Sequence, residues 1–234
     1  IFWKFKLNNK PISHIAFILD GNKRWSEKNG LSNLKGYIRG FENIKNIVDY
    51  IFNIEISNIT LFTLSSENIK RTSVKIIYEI IYNNFSKLLD DILKKNKIKI
   101  KIIGSRIDLP SKIINIFDDV ENLTKENKDF NLNLAFNYGF KDEIREVLKK
   151  YKDKNFSVNI NDEKEIKNLF SLESSPDPDL LIRTGGYNRL SNFIMYNLTY
   201  TELFFTKTLW PEFTVDELNL ILENYHKIDR NYGL

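Results

Sequence analysis

Apolar residues fall along this chain in two alternating rhythms. Short runs at 14–19, 59–64, 98–103, 132–136, 180–183 and 202–205 are long enough for a strand and too short for a stable helix. Between them, apolar positions return every three to four residues, as one face of a helix requires. Such patterns cover 40–52, 74–95, 143–151, 163–170 and 215–227. The clearest is 74–95, where Ile76, Ile77, Ile80, Ile81, Phe85, Leu88, Leu89, Ile92 and Leu93 recur at helical spacing. Strands alternating with helices predict an α/β fold, a single domain (1–234) with a central, mainly parallel sheet flanked by helices. The run K-I-K-I-K-I-I at 97–103 alternates, so that strand has one wet face and belongs near a sheet edge. Residues 155–162 read as a loop. No domain boundary, internal repeat or low-complexity tract interrupts the pattern.

Composition narrows the functional classes. The 234 residues are 42% hydrophobic, 13% aromatic and 28% charged, the profile of a globular chain large enough to bury a core. Basic residues number 35 and acidic ones 31, a net charge of +4. That excess suits small anions or peripheral contact with an anionic membrane surface. It is too small and too dispersed for nucleic acid. The absence of cysteine excludes disulfides and thiolate zinc sites, and His14 and His226 are too few for a histidine metal cluster. No apolar run approaches the ~18 residues that would span a bilayer. The chain opens on Ile1 and is read as a fragment or processed form, with any targeting segment upstream. Its localisation stays open between cytoplasmic, organellar and membrane-peripheral.

Four polar constellations lie at strand ends. The first is Asp20-Gly21-Asn22-Lys23-Arg24-Trp25, directly after the run 14–19. Ligands of open α/β sheets bind beyond the carboxyl ends of strands. An aspartate there can hold Mg²⁺ together with phosphate oxygens. A neighbouring glycine admits a phosphate close to the backbone, and an arginine can grip it with two hydrogen bonds. D-G-N is equally a common turn. The second, Ser65-Ser66-Glu67-Asn68-Ile69-Lys70-Arg71, packs hydroxyls, a carboxylate, an amide and two cations into one segment, which a helix N-terminus would also explain. In the third, Arg183 leads into Gly185-Gly186, with Arg189 and Ser191 following. Two guanidinium groups and a hydroxyl so spaced fit a diphosphate. The fourth is Glu202, with Trp210-Pro211 after it.

Taken in order, H-I-A-F-I-L-D-G-N-K-R-W, L-F-T-L-S-S-E-N-I-K-R, L-A-F-N-Y-G, D-L-L-I-R-T-G-G-Y-N-R-L-S-N-F and Y-T-E-L-F-F-T-K-T-L-W-P-E-F resemble the successive signatures of the cis-prenyltransferases, which include undecaprenyl and dehydrodolichyl diphosphate synthases. The resemblance runs from about His14 to Tyr232. It implies a Mg²⁺-dependent transferase that condenses isopentenyl diphosphate repeatedly with an allylic diphosphate, such as farnesyl or geranylgeranyl diphosphate, giving a polyprenyl diphosphate for glycosyl-carrier lipids. It implies Asp20 as the essential Mg²⁺-linked carboxylate, and Gly21, Asn22, Lys23 and Arg24 as the allylic diphosphate site, with Trp25, Asn33 and Tyr37 beside it. Asn68 matches the asparagine that helps remove the proton. Ser65, Ser66, Glu67, Ile69 and Arg71 match positions near the substrates. Arg183, Arg189 and Ser191, with Leu190 between them, match the isopentenyl diphosphate site. Glu202 matches a second metal-linked carboxylate that can come from a partner subunit. A homodimer is implied, as is a hydrophobic tunnel walled by the apolar face from Ile76 to Leu93.

Several positions depart from the family pattern. Tyr37 stands for a usual His in G-Y-I-R-G, Asn33 for a frequent Arg, Ile69 for a frequent Trp and Tyr187 for a frequent Glu. The C-terminal Arg-x-Gly reads Asn231-Tyr232-Gly233, with Arg230 one residue early. Asp90-Asp91 and Asp118-Asp119 lack the final Asp of the trans-prenyltransferase D-D-x-x-D motif and read as solvated helix faces. The competing readings are a non-catalytic accessory subunit of a heteromeric prenyltransferase, which would lack the D-G-N-x-R signature, and a Mg²⁺ phosphohydrolase using Asp20 and Glu202. The direct passage from Leu93 into the strand at 98–103 leaves no room for the insertion that makers of very long chains carry. Thr63 is small where a bulky residue would shorten the product. A medium-to-long product is therefore expected.

Overall fold

The computed structural model describes residues 11–71, 73–93, 97–153 and 158–229, the side chains of 84–93 excepted. Each apolar run forms a strand: β1 (His14–Ile18), β2 (Asn58–Ser65), β3 (Ile98–Ile103), β4 (Phe130–Tyr138), β5 (Leu180–Arg183) and β6 (Glu202–Phe205). They make one sheet in the order β3-β4-β2-β1-β5-β6. Every neighbouring pair is parallel, so the mainly parallel sheet is wholly parallel among the described residues. Parallel neighbours need crossover connections, which the helices supply. These are α1 (Asn22–Lys28), α2 (Asn33–Asn53), α3 (Val74–Leu93), α4 (Ser111–Thr124), α5 (Phe140–Lys152), α6 (Glu163–Lys167) and α7 (Val215–His226).

Strand position follows the residue pattern. β3 lies at an edge, with Ile98, Ile100 and Ile102 buried and Lys99 and Lys101 partly exposed. β1 lies inside the sheet and is buried along its whole length. Ile15 and Phe17 enter the larger core beneath α2 with Ile47, Ile51, Ile59 and Leu61, whereas Ala16 and Ile18 meet Phe62, Leu181 and Phe193 on the other face. His14 is fully buried, its Nδ1 2.6 Å from the Pro176 carbonyl and its Nε2 2.8 Å from Thr60 Oγ1. Burial lowers its pKa to about 4, so the ring is neutral: Nδ1–H donates to Pro176 and Nε2 accepts from the Thr60 hydroxyl. This histidine ties β1 to β2.

Two helices, α1 and α4, lie outside the helical patterns expected from sequence. α1 carries one large apolar side chain, Trp25, and α4 relies on Ile113, Phe117 and Val120. α2 begins at Asn33, well before the expected 40–52, and takes in Gly36 and Gly40. Glycine disfavours helices in isolation. Here it serves close packing: a Cβ at Gly36 would lie 2.5 Å from the Asn22 carbonyl oxygen, and one at Gly40 only 2.0 Å from Asn22 Oδ1. The G-Y-I-R-G segment thus presses α1 against α2 and fixes the start of α1 beyond β1.

Between the sheet and helices α2 to α4 lies an apolar cavity. Phe41, Ile44, Phe117, Leu134 and Phe136 line it, and α3 contributes Ile77, Ile80 and Ile81. The remainder of the predicted α3 face, from Phe85 to Leu93, lies outside the described side chains, as do Asp90 and Asp91. Thr63 lines this cavity at a register shift between Phe62 and Leu64, its hydroxyl donating to the Ala135 carbonyl at 2.8 Å. Asp118 and Asp119 are exposed, with Asp118 4.0 Å from Arg106, as expected of a solvated face. Among the described residues no helix is long and apolar enough to cross a membrane.

Candidate active site

Asp20 is set by contacts from three segments far apart in sequence. Thr184 follows β5; its hydroxyl accepts from the Asp20 N–H at 3.0 Å and donates to the Asp20 carbonyl at 2.8 Å. The Trp210 N–H donates to the same carbonyl at 3.0 Å. Next comes Gly21 at φ 120°, where a Cβ would lie 2.9 Å from Leu209, so both backbone and space demand glycine. With its main chain held, Asp20 turns its carboxylate to two arginines. Arg24, one helical turn on, donates Nη2–H to Oδ1 at 2.9 Å, and Arg183 donates Nη2–H to Oδ2 at 2.9 Å.

Arg183 links this aspartate to the next loop. It is only 3% exposed; its Nη1 donates to Ser191 Oγ at 2.6 Å and to the Arg189 carbonyl. Its Nε is buried with no partner among the described residues. A buried guanidinium is tolerated when paired and hydrogen-bonded, and these contacts largely meet that demand. Ser191 and Asn192 adopt left-handed backbone, φ 51° and 66°. The Arg183 contact holds Ser191, while Asn192 Nδ2 donates to Glu67 Oε1 at 2.8 Å. Strained backbone of this kind persists only where surroundings over-determine it, as at binding sites. The Arg24 guanidinium also donates to the Gly185 carbonyl at 2.6 Å, and Tyr187 lies against the cluster.

The charged cluster and the apolar cavity meet on one segment. Leu19, Asn22 and Trp210 line the cavity, while Asp20 and Arg24 face the cluster. Asn22 Oδ1, packed against Gly40 of α2, and Trp25 Nε1 are buried without partners among the described residues. Three guanidinium groups against one carboxylate leave a net positive, half-buried site. Such a site is suited to polyphosphate with an apolar chain attached.

The other predicted residues divide. Tyr37 lines the cavity, and Asn33 Oδ1 accepts from Ser26 Oγ at 3.4 Å. Lys23 points outward to Glu27 at 3.6 Å. Arg189 and Arg71 are exposed, and Leu190 packs against the smaller core. Ser65 and Asn68 lie at the carboxyl end of β2, the neighbour of β1, where the Asn68 N–H donates to the Ser65 carbonyl at 3.0 Å. Ser66, Glu67 and Ile69 line a separate polar cleft with Gly139 and Asp142, and Ser66 Oγ donates to Asp142 at 2.6 Å. Glu202 stands apart. It opens β6 in register with Leu180, at the amino end of strands whose carboxyl end carries Arg183, so one chain does not bring it to Asp20. Residues 230–233, with the altered C-terminal motif, lie outside the described residues. Sequence reasoning missed Thr184 as the clamp on Asp20. Its signal was a hydroxyl between a strand-end arginine and a double glycine.

The comparisons with known proteins agree with one another. Residues 18–233 match the family model described as "Putative undecaprenyl diphosphate synthase". An isoprenyl transferase of Aquifex aeolicus is 38% identical over 94% of this chain and 95% of its own. A tritrans,polycis-undecaprenyl-diphosphate synthase (geranylgeranyl-diphosphate specific) of Pyrobaculum aerophilum is 33% identical over 94% and 95%. Among solved structures, lavandulyl diphosphate synthase of Lavandula x intermedia, in complex with dimethylallyl diphosphate, has a TM-score of 0.90 at 28% identity, covering 95% of this chain and 98% of that one.

Proposed function

The chain belongs to the undecaprenyl diphosphate synthase family of cis-prenyltransferases, and from that premise we propose how its residues divide the work of prenyl transfer. It adds isopentenyl diphosphate repeatedly to an allylic starter of the farnesyl or geranylgeranyl type, giving a medium-to-long polyprenyl diphosphate of the glycosyl-carrier kind. The observation that carries this reading is the cationic cluster of Asp20, Arg24 and Arg183 on the segment that also lines the apolar cavity.

In this reading the allylic diphosphate rests on Asn22, Lys23 and Arg24, its tail entering the cavity past Tyr37 and Thr63. Isopentenyl diphosphate rests on Arg183, Arg189 and Ser191. The allylic carbon–oxygen bond breaks with its electrons leaving on the diphosphate, while the double bond of isopentenyl diphosphate forms the new carbon–carbon bond. Arg24 and Arg183 stabilise the departing charge, a contribution typically worth a few kcal/mol. The resulting cation loses a proton to the departing diphosphate, with Asn68 assisting by hydrogen bonding rather than as the base.

The residues fit a magnesium ion that arrives with substrate. Among the described residues no three acidic or histidine groups cluster. Asp20 alone is in place, its side chain 29% exposed and two of its roughly four acceptor positions taken by arginines. Mg²⁺ commonly takes one or two carboxylates, phosphate oxygens and water. Bound there, it would add Lewis-acid stabilisation of the leaving diphosphate.

Glu202 can join that set only from a second copy, which bears on assembly. β6 is the other sheet edge, and Leu203 and Phe205 on it are 43% and 36% exposed. Exposed apolar edge strands pair readily. A homodimer through β6 is expected, and Leu203→Glu should weaken it. Light scattering that finds the active wild-type chain monomeric would refute this.

The function is tested by incubating the chain with isopentenyl diphosphate, farnesyl diphosphate and Mg²⁺ in detergent, then separating the dephosphorylated lipids. Each isoprene unit buries four to five carbons, about 3–4 kcal/mol at ~0.8 kcal/mol per CH₂, so growth continues until the tail meets the cavity floor. A medium-to-long polyprenol is expected. No product would overturn the activity. A dominant product of three or four units, or one in the dolichol range, would overturn the reading of the cavity.

A further inference from the structure

Tyr187 follows the Gly185-Gly186 turn and faces three cations at once. Its ring centroid lies 4.2 Å from the guanidinium carbon of Arg189, 4.8 Å from that of Arg24 and 5.7 Å from that of Arg183. All three fall within the ~6 Å over which a ring face attracts a cation. The turn is anchored: the Gly185 N–H donates to the Thr208 carbonyl and the Gly186 N–H to the Thr206 carbonyl, each at 2.8 Å, with φ of 86° and 78° at the two glycines. The ring is therefore presented from fixed backbone, and Tyr187 remains 42% exposed.

Gathering three guanidinium groups is opposed by their mutual repulsion, and Asp20 pairs with only two of them. A carboxylate in place of Tyr187 would offset a further charge and also occupy the N–H donors. A ring face attracts the cations while leaving most donors available to phosphate oxygens. We propose that Tyr187 is a positioning residue whose ring holds Arg24, Arg183 and Arg189 as one preassembled cradle shared by the diphosphates of both substrates. The assignment of the two substrates rests on the prenyl-transfer reading; the cradle itself can be tested without turnover.

The probe is inorganic diphosphate, titrated calorimetrically into the purified chain with Mg²⁺ at fixed ionic strength. Tyr187→Phe, which keeps the ring, should bind within about twofold of wild type, and Tyr187→Leu about tenfold more weakly. In steady-state assays the leucine variant should raise KM for isopentenyl and allylic diphosphates together. Unchanged diphosphate affinity in Tyr187→Leu would overturn the proposal. So would an equal loss in Tyr187→Phe, which would assign the effect to the hydroxyl, or a KM change confined to one substrate. Thermal melting checks that the leucine variant is folded; if it is not, Tyr187→Met takes its place with the same expectations. A wild-type chain that makes no prenyl product, yet shows this ranking of diphosphate affinities, would refute prenyl transfer and leave the cradle standing.

Discussion

Asp20→Ala is expected to lower turnover by about 100- to 1,000-fold or more, the scale seen when one preorganised charge-stabilising group is lost from an active site. The expectation rests on what the carboxylate does in the structure. It aligns Arg24 and Arg183 from opposite oxygens, and it is the described acidic group placed to receive a metal with the substrate. Removing it leaves two cations facing each other and no carboxylate for the ion. The fold should survive, because Asp20 is anchored through its main chain by Thr184 and Trp210, which alanine does not disturb. Asp20→Asn keeps the shape and loses the charge, so it should be nearly as inactive. Steady-state assays over a range of Mg²⁺, with circular dichroism to confirm folding, check this. A folded Asp20→Ala enzyme retaining most of its activity would show that the chemistry lies elsewhere.

The second large effect separates two arginines that sequence alone treats alike. By the family resemblance, Arg183 and Arg189 both belong to isopentenyl diphosphate. In the structure Arg183 is buried and holds Asp20, Ser191 and the Arg189 carbonyl together, whereas Arg189 has an exposed side chain over Tyr187. Arg183→Ala should therefore reduce kcat as well as raise KM for both substrates. It should also cost about 1–3 kcal/mol of stability, since the groups it bonded are left partly unpaired. For a chain of this size that is a fall in Tm of several degrees, at about 2–4 °C per kcal/mol. Arg189→Ala should raise KM for isopentenyl diphosphate severalfold, with a smaller change for the allylic substrate through the shared Tyr187 and no measurable loss of stability. Matching kinetic and thermal profiles for the two variants would refute the division.

How far the sequence reached follows from what each signal depends on. Strand runs and helical periodicity are local, and the six strands, the edge place of K-I-K-I-K-I-I and most helices were legible in them. Where few apolar residues mark a face, the pattern was thin. α1 was missed for that reason, and so were the first two turns of α2, where Gly36 is a contact point against α1. The chemistry-bearing segments were legible too, because D-G-N-K-R and R-T-G-G each fall just past a strand, where α/β sheets bind their ligands.

By itself, then, the sequence determined the order of elements, the class of fold and which short segments carry charge at the carboxyl edge of the sheet. Only the tertiary structure decided which of those segments share one site. Asp20 and Arg183 stand 163 positions apart and meet because β1 and β5 are parallel neighbours, with Ile18 in register with Arg183. The same register carries Glu202 to the opposite end of the sheet, three residues before the partner of Arg183. Tyr187, read from sequence as one departure among several, gathers three cations because the double-glycine turn folds back beside α1. Spacing along a chain constrains only near neighbours, whereas strand register sets distances between residues that the chain itself leaves far apart.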